Sequence, residues 1–114
     1  MLDEIFDDQV KFTKEVTKYF DKHKIDLIKE YLLSLSSEVS EALDCVKWKW
    51  HQQGYGEVDY EHLMEELIDI QKFLWGLMHI CSMDKAELYN KYWLKTNLVQ
   101  KRWNKFIEDG NKNV

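Results

Sequence analysis

Apolar positions recur at helical intervals along nearly the whole chain and lapse at three places: around Lys22-His23-Lys24, across residues 51–58, and at Ser82-Met83-Asp84. The pattern predicts a first helix from about Leu2 to Lys22, with Phe6, Phe12, Val16 and Tyr19 among its apolar positions and Gln9 as an amide at the edge of the stripe. A second helix is predicted from about Leu27 to Trp50, N-capped by Asp26, with Ile28, Tyr31, Leu35, Val39 and Ala42 in its stripe. A third runs from near Asp59 to about Cys81, and a fourth follows the capping box Asp84/Glu87 to about Glu108, ahead of a polar, frayed tail. Four helices with short connections predict an all-α fold, an antiparallel four-helix bundle forming one domain over 1–114. Trp75 and Trp93 point away from the inferred stripes, so the bundle is expected to be completed in a homo-oligomer, a homodimer or homotetramer.

Two departures from a plain amphipathic pattern carry chemistry. Glu38 and Glu41 stand three residues apart in the second helix, and Glu66 and Asp69 do so in the third. Positions i and i+3 share one side of a helix, so each pair can present two carboxylates to one point. On a wheel of ~100° per residue both pairs flank the core stripe, whereas Asp44 and Glu65 project to solvent. Acids at this spacing are common on solvated faces; two pairs flanking core stripes on successive helices are not what a solvated face requires. Cys45 and Trp48 continue the flank of the first pair, and Phe73 that of the second. Gly76, in mid-helix, gives up roughly 1 kcal/mol relative to alanine, which predicts close approach by another helix. His79 reads as a surface residue.

Composition narrows the chemistry. The chain has 114 residues, a formal net charge of −5, no proline and only four glycines. That balance argues against binding a nucleic-acid polymer, whose backbone calls for a basic surface. No apolar run is long enough for a bilayer span, and no secretory signal is evident, so a cytoplasmic protein is expected. Cys45 and Cys81 read as reduced, buried small residues. Residues 51–58 hold Gly54 and Gly56 without a phosphate-cradling glycine motif, which predicts a flap or plain connector.

Hard carboxylate ligands suit Mg²⁺, with Mn²⁺ as the alternative, and Mg²⁺ characteristically binds protein carboxylates together with substrate phosphates. Lys91, Lys95 and Arg102 (the single arginine) fall close together on one side of the fourth helix and are candidates for outer phosphates. Glu38 is the candidate to orient an attacking water or take its proton. A di-iron bundle expects Glu-x-x-His motifs, and none occurs.

These residues resemble the all-α nucleoside triphosphate pyrophosphohydrolases, which include MazG and the dimeric dUTPases. The shared Glu-x-x-Glu and Glu-x-x-Asp signature is matched by Glu38-Val39-Ser40-Glu41 and Glu66-Leu67-Ile68-Asp69. Lys47-Trp48-Lys49-Trp50 looks like the Lys/aromatic segment after the first pair, and Ile5-Phe6-Asp7-Asp8-Gln9 resembles the dUTPase start, whose glutamine contacts uracil. The segment from Tyr92 to Trp103 is similar to the closing Lys-Asn-x-Val-Asn-x-x-Arg motif, with Thr96 and Val99 where asparagines often stand and Asn97 or Gln100 nearby. The resemblance implies hydrolysis of a deoxynucleoside triphosphate, with dUTP as the expected substrate, to the monophosphate and pyrophosphate. Glu38, Glu41, Glu66 and Asp69 would hold Mg²⁺, and Lys91, Lys95 and Arg102 the phosphates. Gln9, Trp48, Phe73 and Asn97 would line the base and sugar pocket. A MazG-like enzyme of other or broad base preference, such as for dCTP or a damaged nucleotide, and a non-catalytic helical interaction module are the alternatives.

Overall fold

The computed structural model describes residues 1–112. It is all-α: α1 (Leu2–Phe20), α2 (Lys24–Asp44), α3 (Tyr60–Ile80) and α4 (Lys85–Lys112), with no strand among the described residues. That is the element content of a four-helix bundle. The chain divides into two compact units, the first covering Met1–Ser82 with α1–α3 and the second containing α4. No helix of the described residues is long and apolar enough to cross a membrane.

In the first unit both α1 and α2 pack on α3. Gly76 is the reason they can come so close. A Cβ on Gly76 would lie 2.7 Å from Cε2 of Tyr31 on α2 and 3.0 Å from Oγ1 of Thr13 on α1, so only glycine fits without displacement. The close approach predicted from mid-helix Gly76 is thus made by two helices. Phe6 meets Trp75 edge-on, with ring centroids 5.6 Å apart, and Tyr31 meets Phe73 in the same way at 5.8 Å. Trp75 is therefore half-buried and serves packing within the unit.

The packed faces are more polar than the apolar stripes predict. On α1 the buried line is Phe6, Gln9 and Thr13, while Phe12, Tyr19 and Phe20 are exposed. Gln9 stands in the middle of the contact face, not at its edge. On α2 the face toward α3 includes Leu27, Tyr31, Glu38, Ala42 and Cys45, whereas Leu32, Val39 and Leu43 face outward. On α3 Glu66, Gly76 and Ile80 are buried, and Leu67 and Ile68 are exposed. Each helix thus turns a partly polar side inward and leaves an apolar strip outside.

The helix ends need corrections. The second helix starts at Lys24, with His23 at its N-cap, and stops at Asp44, six residues before Trp50. Beyond it the chain doubles back: Val46 bridges Val58 antiparallel, Lys47 N–H donates to the Glu57 carbonyl at 2.9 Å, and Gly56 N–H to the Lys47 carbonyl at 2.8 Å. Gly54 and Gly56 have φ of 77° and 88°, the left-handed region that glycine adopts at no steric cost, and Lys47 Nζ closes on Glu57 Oε2 at 3.1 Å. The 46–58 segment is a tied loop, neither flap nor plain connector. Lys47-Trp48-Lys49-Trp50 lies in it, so the helical flank that would align Trp48 with the acids does not exist. α1 ends at Phe20, with Asp21 as a left-handed C-cap (φ 46°). Asp84 caps α4 by accepting from Glu87 N–H at 2.8 Å, half of the predicted capping box. The predicted fraying begins at Asp109, yet α4 continues to Lys112; Asn113 and Val114 lie outside the described residues.

Asp59 caps α3, accepting from His62 N–H at 3.2 Å. Replacing Asp59 with alanine is expected to lower stability by about 1 kcal/mol, the usual loss for an N-cap carboxylate. Urea denaturation reads that loss, and an unchanged midpoint would contradict it.

Candidate active site

Helix spacing brings Glu38 of α2 and Glu66 and Asp69 of α3 to one place. Among the described residues these three each offer a carboxylate oxygen, and the three oxygens lie within 4.8 Å of one another. Glu66 is buried, Glu38 half-buried and Asp69 exposed, so the group opens to solvent on one side. The α2–α3 contact runs antiparallel, with Glu38 opposite Glu66 and Tyr31 opposite Phe73, which is how two local i,i+3 spacings become one cluster. Glu41 lies one turn beyond Glu38, is exposed, and is not in the 4.8 Å group, though its charge reaches Glu38.

The cluster is unfavourable as it stands. Glu38 Oε2 and Glu66 Oε2 are buried with no hydrogen-bond partner among the described residues. Burial first, then hydrogen bonding to Glu66 and the charge of Glu41, with Asp69 contributing, push the Glu38 carboxyl up to about 7. Desolvated carboxylates facing one another raise each other's proton affinity unless a cation joins them. Two unpartnered buried oxygens in an all-carboxylate set of hard donors fit a divalent cation of the Mg²⁺ or Mn²⁺ type.

The other oxygen of Glu66 has a partner that the acid spacing does not reveal. His62 Nε2 lies 3.3 Å from Glu66 Oε1, and Asp59 Oδ2 is 4.0 Å from His62 Nδ1. A His four residues before a motif acid is the signal that would have found it.

Beside Asp69 a cavity of about 140 Å³ is lined by Gln9, Phe12, Tyr31, Asp69, Lys72 and Phe73. Two of the residues expected to hold base and sugar, Gln9 and Phe73, therefore share a wall with a candidate metal ligand. Gln9 is only 5% exposed and Thr13 is wholly buried. Thr13 Oγ1 donates to the Gln9 carbonyl at 2.8 Å and accepts from Gln9 Nε2 at 3.3 Å, while Lys72 Nζ donates to Gln9 Oε1 at 3.2 Å. Tyr31 also bonds to Thr13, and burial raises its phenol pKa against that hydrogen bond. Lys72, Tyr31 and Thr13 are absent from the sequence-based site; Lys72 follows Asp69 by three residues, the same spacing that marked the acids.

Trp48 is half exposed in the 46–58 loop, with Lys49 Nζ 5.6 Å from its ring centroid. On α4, Lys91, Lys95 and Arg102 are exposed and fall within about 40° of one another around the helix, with Lys91 Nζ 3.8 Å from Glu87. Asn97 is exposed on a different side of α4.

The two thiols behave differently. Cys45 is buried, and burial, followed by the charges of Glu66, Asp59 and Asp44, pushes its pKa up, so it is a poor nucleophile. Cys81 is exposed at the C-cap of α3, contrary to the buried position expected. Both are free thiols. His79, expected at the surface, is half-buried, and burial with nearby Lys14 lowers its pKa.

A family model described as dUTPase matches residues 1–108 of the chain. No curated protein and no solved structure matches it.

Proposed function

The chain belongs to the dUTPase family and is an enzyme of the dUTP diphosphatase kind, and from that premise we propose that it cleaves dUTP, with Mg²⁺, to dUMP and pyrophosphate. The observation that carries the reading is the convergence of Glu38, Glu66 and Asp69, two of them with unpartnered buried oxygens, beside a cavity that has a buried amide in its wall. The bound cation supplies charge neutralisation on the phosphate oxygens. Glu66 and Asp69 would hold it from α3 and Glu38 from α2, with Glu41 one turn further on as the fourth candidate carboxylate. Glu66 is itself steadied by His62, which leaves its second oxygen for the metal.

Glu38 orients the attacking water and takes its proton as the new P–O bond forms. The P–O bond bridging the α- and β-phosphorus breaks, and its electron pair leaves with the half that the water does not attack, so that the products are dUMP and pyrophosphate. Lys91, Lys95 and Arg102 neutralise the outer phosphates; their common side on α4 supports this assignment. Gln9 reads the base edge by hydrogen bonds and Phe73 packs on the ring, with Trp48 and Asn97 as further candidates for base and sugar contacts.

Residues 1–114 act as one all-α domain in this reading, working as a homo-oligomer. Exposed Ile5, Phe12, Leu67 and Ile68 on the first unit, and Tyr92, Trp103 and Phe106 on α4, support assembly, since apolar strips on this scale are ordinarily covered. The two free thiols support a reducing, cytoplasmic setting.

The test is pyrophosphate release from dUTP, dCTP, dTTP, dATP and UTP, with and without Mg²⁺. The expected result is metal-dependent release with dUTP preferred. Equal release from every base would remove the uracil preference, and no metal-dependent release from any of them would remove the hydrolase reading.

A further inference from the structure

The amide of Gln9 is held in one of its two orientations, and the holding group is a cation 63 positions away in the sequence. A carboxamide is nearly symmetric in shape, so a pocket can seat it either way round; its neighbours decide which end is oxygen. Here both neighbours agree. Lys72 Nζ is a donor only, so the atom 3.2 Å from it must be Oε1. Thr13 Oγ1 has given its single proton to the Gln9 carbonyl at 2.8 Å, so toward the amide it can only accept, and the atom 3.3 Å from it must be Nε2. Thr13 is wholly buried and Gln9 nearly so, which leaves no water to substitute for the Thr13 contact, while Lys72 reaches the amide from an exposed position on α3. Turning the amide over would set an NH₂ against an ammonium and an oxygen against a hydroxyl with no proton to offer.

The cavity wall to which Gln9 belongs also contains Lys72 and Asp69, so Gln9 borders the space next to one of the candidate metal ligands. After the contacts to Lys72 and Thr13 it retains one N–H and one oxygen lone pair. Uracil and cytosine present opposite orders of donor and acceptor on their Watson–Crick edges: carbonyl and ring N–H in uracil, amino group and bare ring nitrogen in cytosine. A freely rotating amide serves either base, whereas a locked one serves a single order and leaves unpaired polar groups against the other.

We propose that Lys72 is a positioning residue for base choice: its ammonium locks the Gln9 amide in the orientation that pairs with uracil and rejects cytosine. The proposal deepens the dUTP reading above and rests on it. Lys72 touches no reacting atom in this role and acts through Gln9, so its signature is a change in selectivity rather than a uniform loss of rate.

The experiment compares wild type, Lys72→Met and Lys72→Arg in the presence of Mg²⁺. Two readouts are taken: kcat/KM for dUTP and dCTP, and calorimetric dissociation constants for dUMP and dCMP, which need no hydrolysis. The expected result is a fall of at least tenfold in the uracil-to-cytosine ratio for Lys72→Met, with the ratio kept by Lys72→Arg. If Lys72→Met loses its helical circular dichroism, Lys72→Ala, which removes the same ammonium with less apolar bulk, carries the comparison. A uniform drop for both bases, or an unchanged ratio, overturns the proposal and leaves Lys72 a merely structural contact. Wild type that binds dUMP no better than dCMP, or binds neither, overturns it as well. Absence of pyrophosphate release from wild type overturns the hydrolase reading alone, and the monophosphate binding ratio then still decides the role of Lys72.

Discussion

Replacing Glu38 with glutamine is expected to abolish metal-dependent pyrophosphate release while making the metal-free protein harder to melt. The two effects have one cause. Glu38 Oε2 is buried without a partner, Glu66 and Asp69 stand within 4.8 Å, and the charge of Glu41 reaches the same carboxyl. Removing this charge relieves repulsion in the empty cluster and removes a ligand from the filled one. Changes to the outer partners of metal ligands typically cost 10–100-fold in affinity or activity, so loss of a ligand itself is expected at about a hundredfold or more.

The pH dependence separates this from a generic packing effect. The ordinary value for Glu38 is 4.5 and the fold raises it to about 7. Between those values the folded chain holds a proton that the unfolded chain has released. The contribution of Glu38 to stability is therefore fully present below about 4.5 and declines as pH rises, reaching its full penalty above about 7. In EDTA, the gap in melting temperature between Glu38→Gln and wild type is expected to widen from pH 5.5 to pH 8. Saturating Mg²⁺ at pH 8 should raise wild type toward or above the variant, because a ligand that binds only the folded chain stabilises it by mass action. A gap that stays constant across the pH range, or near-normal turnover by Glu38→Gln, would sink the metal assignment.

The second large effect is structural. Gly76→Leu is expected to destabilise the first unit by about 3 kcal/mol, the upper end for forcing extra carbons into a packed contact. A Cβ alone would already sit 2.7 Å from the Tyr31 ring and 3.0 Å from the buried Thr13 hydroxyl, so a whole side chain must push α1 or α2 off α3. Against a total stability of about 5–15 kcal/mol this is a large share. Alanine is the informative control: it gains about 1 kcal/mol of helix propensity and still meets both atoms. Denaturant midpoints for the two variants check the expectation, and a leucine variant within about 0.5 kcal/mol of wild type would show that the helices have slack. Because Thr13 holds the Gln9 amide, a shift at Gly76 also reaches the wall of the cavity beside Asp69.

The parts of the site that were legible beforehand are those set by spacing along one helix. Glu38 with Glu41, and Glu66 with Asp69, follow from i,i+3 geometry, and Gly76 from its position inside an apolar run. The inward face of each helix was harder to read. Leu32, Val39 and Leu43 on α2, like Leu67 and Ile68 on α3, are apolar yet exposed, and hydrophobic periodicity does not distinguish a strip that packs inside the chain from one left for a partner. That is why Gln9 reads as an edge residue in the sequence and stands at the centre of a helix contact in the fold. The Lys47–Trp50 stretch failed for a related reason. Its alternation of cation and aromatic is compatible with a helix end, and the competing structure depends on Val58, which closes a bridge to Val46 twelve residues before it.

By itself the sequence determined that this protein is helical, where the helices begin to within a few residues, and that two of them carry acid pairs on one side. A helix needs only its own neighbours to define those properties, since every hydrogen bond and every i,i+3 pair is local. Tertiary structure alone decided which three carboxylates converge and that two of their oxygens are orphaned. It also put Lys72, with no motif to announce it, against Gln9. Those facts depend on how α1 and α2 rotate about their axes as they settle on α3. That rotation is set by shape, by the absent side chain of Gly76 above all, and not by any local preference of the chain.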